Sequence, residues 1–123
     1  MVGQDQSGVE TRPSGSHAAV KYQIVVLPRA KRDAHDIDDY LAARNPAVAD
    51  RFYENLQATL NLQAALATPG SPWISPGPAL ADLRWTRVKG FASYVIFLKV
   101  HGHTLDVVRV LHAAQDLEAA LSR

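Results

Sequence analysis

Residues 93–100, SYVIFLKV, form an almost unbroken apolar run. A run this short, rich in β-branched and aromatic residues, reads as a strand buried on both faces. Such a strand needs neighbours on either side, and the flanking segments LADLRWTRV (80–88) and TLDVVRVL (104–111) provide them. The breaks between the three are Lys89-Gly90 and His101-Gly102, the usual chemistry of tight hairpins. FASYVIFLKV (91–100) is therefore the centre of a meander, and its inner face has to be covered.

The cover lies upstream. KYQIVVL (21–27) is a short β-branched strand ended by Pro28, which suits the first turn of a helix. Ala30, Ala34, Ile37 and Leu41 recur at helical spacing up to about Arg44. Asn45-Pro46 then stops one helix and starts the next, with Asn45 as cap and Pro46 at the first position. Ala49, Phe52, Leu56, Leu60 and Gln63 mark one face of the second helix, which ends before Pro69-Gly70. The pair is an antiparallel helical hairpin. TPGSPWISPGP (68–78) reads as a loop, with Trp73 and Ile74 expected to pin it to the core. AAQDLEAALSR (113–123) reads as a short helix or frayed tail.

The fold class is thus α+β: a helical hairpin on a mostly antiparallel four-stranded sheet, in the order β-α-α-β-β-β plus a short C-terminal helix. The other face of the sheet is expected to be partly open, or covered by the last helix and a partner. Residues 1–20 are polar and rich in Gly and Ser, which reads as a disordered extension or an expression leader; residues 21–123 form the single domain. With no cysteine, disulfides and thiolate metal sites are excluded. No apolar run approaches the roughly 20 residues of a membrane span, so a cytoplasmic protein without membrane contact is expected. Residues 30–68 carry four basic against six acidic side chains, and residues 80–123 carry six against four plus three histidines. The basic half suits an acidic partner or nucleic acid, and equally an ordinary solvated face.

The whole order, closing on VVRVLHAAQDLEAAL (107–121), resembles the ParE branch of the ParE/RelE toxin superfamily over about residues 21–121. The opening YQIVVLPRAKRDAHDIDDYLAARNPAVADRFYENL (22–56) is similar to the family's first strand and hairpin, and LRWTRVKGFASYVIFLKV (83–100) to its next two strands. Gln115 stands where the family often carries arginine. The resemblance implies the toxin of a type II toxin–antitoxin pair, a plasmid stabilisation toxin that inhibits DNA gyrase by binding it. Its partner would be a small ParD-like antitoxin. No cofactor is implied, and no sequence-specific contact with nucleic acid. The alternatives are a RelE-like ribosome-dependent mRNA endoribonuclease and a relative without toxicity.

Metal-free RNA cleavage needs an acid, a base and cations on the scissile phosphate. Beyond Leu111 the only residue with a useful pKa is His112, so no catalytic residue is assigned. The residues expected to bind the target are Arg84, Arg87, Lys89, Arg109, His112, Gln115 and Asp116. Two of them have a structural alternative. The Arg109 head can pair with Asp106, Asp116 or Glu118. His112 can be a corner residue, one ring nitrogen accepting an N–H and the other meeting a carbonyl. On an unbroken strand Arg109 and His112, three apart, point to opposite faces. Ile37, Leu41, Phe52 and Leu56 are core by periodicity, and the same residues are expected to border a groove for an antitoxin helix. His101 and His103 straddle Gly102 without an obvious third ligand, so no metal site is expected.

Overall fold

A computed structural model describes residues 21–75 and 77–123; the leader expected over residues 1–20 lies outside them. The elements are β1 (Gln23–Val26), α1 (Pro28–Ala42), α2 (Pro46–Ala65), β2 (Ser71–Pro72), β3 (Arg84–Val88), β4 (Phe91–His101), β5 (Thr104–His112) and α3 (Leu117–Leu121). A 3-10 turn, Pro78–Leu80, lies between β2 and β3. The sheet has five strands in the order β1-β5-β4-β3-β2, with β1 parallel to β5 and the other pairs antiparallel.

Five strands replace the expected four because Ser71–Pro72 pairs with Arg84 and Trp85 at the sheet edge. A proline belongs at an edge, where no ladder N–H is required of it. Gly70 sets up this crossing at φ +59°, and a Cβ there would meet the Trp85 carbonyl oxygen at 2.7 Å. Trp73 packs edge-on against Phe97 at 5.1 Å, as expected, but Ile74 is 85% exposed and pins nothing.

Pro28 opens α1 and Pro46 opens α2, where the Asn45 side chain accepts from Ala47 N–H at 3.1 Å. The hairpin covers one face of the sheet. Phe52, Leu56 and Leu60 of α2 bury against Tyr94, Ile96 and Leu98 of β4 and Leu105, Val107 and Val110 of β5. The opposite face has its own core: Val95, Phe97 and Leu111 from the sheet, Leu83 from the loop before β3, and Ala120 from α3. The last helix and the Pro-rich loop thus cover the second face.

β4 and β5 do not pair evenly. Phe97 is opposite Arg109 and Leu98 is opposite Val107, which leaves Val108 as an extra residue in β5. This bulge shifts the alternation by one. Val107 and Val110, three apart, both join the hairpin core, while Val108 and Leu111 join the second one.

Candidate functional site at the end of the last strand

β1 pairs with β5 only as far as Val26 opposite Val107. Beyond that point the outer edge of β5 has no strand beside it among the described residues. Asp33 of α1 takes its place, accepting from Val110 N–H at 3.0 Å. The same carboxylate receives a two-pronged contact from Arg109, Nε at 2.7 Å and Nη2 at 3.1 Å. The third arm of Arg109 donates to the Ala120 carbonyl in α3 at 2.8 Å. One buried guanidinium, 7% exposed, therefore ties α1, β5 and α3 together. Its partner is Asp33, not the expected Asp106, Asp116 or Glu118. Asp106 meets Thr104, Asp116 caps α3 by accepting from Ala119 N–H, and Glu118 accepts from Trp73 and Ser75.

The turn after β5 is held by its own side chains. Ala114 N–H donates to His112 Nδ1 at 3.0 Å, and the Gln115 side-chain oxygen accepts from His112 N–H at 3.2 Å. An Nδ1 that accepts is unprotonated, so the neutral ring carries its proton on Nε2. His112 lines a cleft, and among the described residues its second ring nitrogen does not meet the expected carbonyl. The His112 ring stands edge-on to Tyr94 at 5.0 Å, and Tyr94 stands edge-on to Phe52 at 5.2 Å.

The cleft has a volume of about 520 Å³ and lies between α1 and the end of β5. Asp33, Asp36, Ile37 and Tyr40 line it from one stripe of α1; Tyr94, Arg109, His112 and Gln115 line it from the sheet and turn. Arg109 and His112 do face opposite ways along the strand, since the bulge precedes both. They share a cavity because Arg109 lies at the bare strand edge. Burial pushes the Tyr94 phenol above its ordinary pKa; the nearby Tyr40 adds to this and Arg44 opposes it. Tyr94 therefore stays a neutral donor at physiological pH.

The remaining target residues lie apart from this cleft. Arg84 donates to the Pro69 and Gly70 carbonyls and fastens the loop to the sheet. Arg87 donates to the Ala92 carbonyl at 2.6 Å and stacks over Trp85 at 5.4 Å. Lys89 is exposed in the β3–β4 turn. Of the four groove residues, Phe52 has no exposed surface and Leu56 is 6% exposed, so Phe52 presents nothing to a partner; Ile37 and Leu41 are half-buried. Leu56 still reaches a smaller groove of about 260 Å³ between the helices, bordered by Val26 and Tyr53. Sequence reasoning missed Asp33, Asp36, Tyr40 and Tyr94. The spacing of the first three on α1, three and four residues apart, was the available signal.

Among the described residues, no helix is long and apolar enough to cross a membrane. Residues 24–117 match the family model described as ParE toxin of type II toxin-antitoxin system, parDE, and the chain belongs to that family. A comparison with curated proteins finds no significant match.

Proposed function

We propose that this toxin acts by binding DNA gyrase and trapping it on cleaved DNA, and that a small ParD-like antitoxin neutralises it. One observation carries the binding mode: two of the arginines suited to holding a scissile phosphate, Arg109 and Arg84, are already engaged in holding the fold. Arg109 is held by Asp33 and Ala120, and Arg84 by the loop carbonyls. A domain of 13.4 kDa acting this way needs only differential affinity for one state of its target. Roughly 3 kcal/mol of preference shifts that population more than a hundredfold.

In this reading Arg87, Lys89, His112 and Gln115 present the contacts, while Arg84, Arg109 and Asp116 are positioning residues that hold the loop and tail. The antitoxin helix lies along the groove between α1 and α2, over Leu56 and between exposed Val26 and Tyr53. Ile37 and Leu41, half-buried on α1, lie outside this groove, and Ile37 lines the cleft at the end of β5 instead. Purified gyrase tests the target through supercoiling and cleavage-complex assays. Removing residues after Leu111 abolishes inhibition, and Arg109→Ala weakens it more than Lys99→Ala does. No effect from folded, antitoxin-free protein leaves a non-toxic relative, for which Gln115→Arg is the rescue to try.

A second reading has one observation in its favour. The Tyr94 and His112 rings meet edge to face beside an open cleft, a pairing of the kind an RNA-cleaving site would use. Toeprinting on translating ribosomes separates the two: cleavage lost with His112→Ala makes the protein a RelE-like endoribonuclease.

A further inference from the structure

The cleft at the end of β5 holds two groups that the gyrase reading does not use, Asp36 and Tyr94. Its Asp33 and Arg109 neutralise each other at 2.7 Å. His112 Nδ1 is occupied by Ala114 N–H. The remaining formal charge on the lining is the carboxylate of Asp36, which has no ion-pair partner among the described residues. Deeper in, Tyr94 is only 8% exposed and borders the cleft, and its hydroxyl has no hydrogen-bond partner among the described residues. A phenol that lines a cleft without a partner of its own is available to an incoming polar group. Ile37, Val110 and Leu111 add apolar wall beside these polar groups.

We propose that this cleft seats an arginine side chain of a partner polypeptide, with its guanidinium on Asp36 and the two tyrosines and its stem along Ile37 and Leu111. The lining is net negative, so a phosphate or carboxylate would enter against Asp36. A planar guanidinium meets a carboxylate with two parallel bonds and also lies well on aromatic rings. The molecule shows that preference on the outside of the same tyrosine, where the Arg44 guanidinium sits 3.8 Å from the Tyr40 ring centre. An apolar wall beside the charge suits a methylene stem better than a free ion. At about 520 Å³ the space holds a side chain together with the backbone that bears it. The inference is independent of the gyrase reading, because its test measures direct binding.

The test is a titration of the full chain with acetyl-Ala-Arg-Ala-amide, followed by NMR of the His112 and Tyr94 rings and the Gln115 amide. Acetyl-Ala-Glu-Ala-amide is the opposing probe. The arginine peptide shifts these signals and the glutamate peptide does not. Asp36→Asn weakens the arginine peptide at least about fivefold, the loss of a charge-assisted contact, and Tyr94→Phe weakens it less. Arg44→Gln removes a like charge near Tyr40 and strengthens binding; at an anion site the same change would weaken it. Asp36 is exposed, so an unchanged melting curve for Asp36→Asn shows an intact fold, and the Arg44→Gln arm gives the sign regardless. No shift at about 10 mM arginine peptide, stronger binding of the glutamate peptide, or weaker binding after Arg44→Gln overturns the proposal.

Discussion

The two faces of the sheet are closed by different means. On the hairpin side, long helices lay Phe52, Leu56 and Leu60 on β4 and β5, and side-chain burial dominates the contact. On the other side, α3 has five residues, far fewer than the roughly 12–15 at which isolated helices become even marginal in water. It buries Ala120, with Leu117 and Leu121 beside it, on a smaller core, and discrete polar contacts fix it there: Arg109 to the Ala120 carbonyl, Arg29 to the Arg123 carbonyl, Trp73 and Ser75 to Glu118, and the Asp116 cap. A packed face loses stability in proportion to the volume removed. A tethered face loses its hold when one tether goes.

Three substitutions probe this contrast. The largest effect is expected from Phe52→Ala, which empties a fully buried site between the hairpin and the sheet. It costs about 3–5 kcal/mol, read as a lower denaturant midpoint with unchanged slope. A loss confined to the hairpin, without global unfolding, would break the comparison, because a packed face fails with the whole domain.

Next is Asp33→Asn. It leaves the nearly buried Arg109 guanidinium facing a neutral amide. Breaking a buried pair from one side costs about 3 kcal/mol, and removing both partners together costs less than the two single changes summed. A double variant of Asp33→Asn with Arg109→Met, compared with both single variants by chemical denaturation, measures that coupling. Additive losses would mean that the tether is not a unit.

The smallest effect belongs to Asp116→Ala, which removes the α3 cap at a cost of about 1 kcal/mol. Amide exchange in residues 117–121 speeds up while the global midpoint scarcely moves. An equal loss at both would make α3 part of the main cooperative unit and erase the distinction between the faces.

Local signals explain why most elements could be read from the chain. Asn45-Pro46 divides the helices, Gly90 at φ +75° and Gly102 at φ +60° make the hairpins, and the α2 stripe of Ala49, Phe52, Leu56 and Leu60 is buried as its spacing requires. What escaped was non-local. The bulge at Val108 lies in a β-branched run without glycine, and only pairing with β4 exposes it. Asp33 meets Arg109 across 76 residues, and no spacing rule reaches that far. The two-residue strand at Ser71–Pro72 is too short for any periodicity, and it exists because Trp85 is there to pair with it. The cleft was out of sight for the same reason, since its walls come from α1, β4, β5 and the following turn.

The parallel pairing of β1 with β5 also governs the order in which the toxin can come into being. Gln23 lies opposite Thr104, so nearly the whole domain must be synthesised before its first strand finds a neighbour. At about 5–20 residues per second of translation, that leaves several seconds in which the nascent chain has its hairpin but no finished sheet. The Asp33 carboxylate waits over the same interval for an arginine that has not yet been made. A growing chain of this topology cannot close the cleft beside β5 until it is almost complete, because Arg109 and the turn that follows it arrive last.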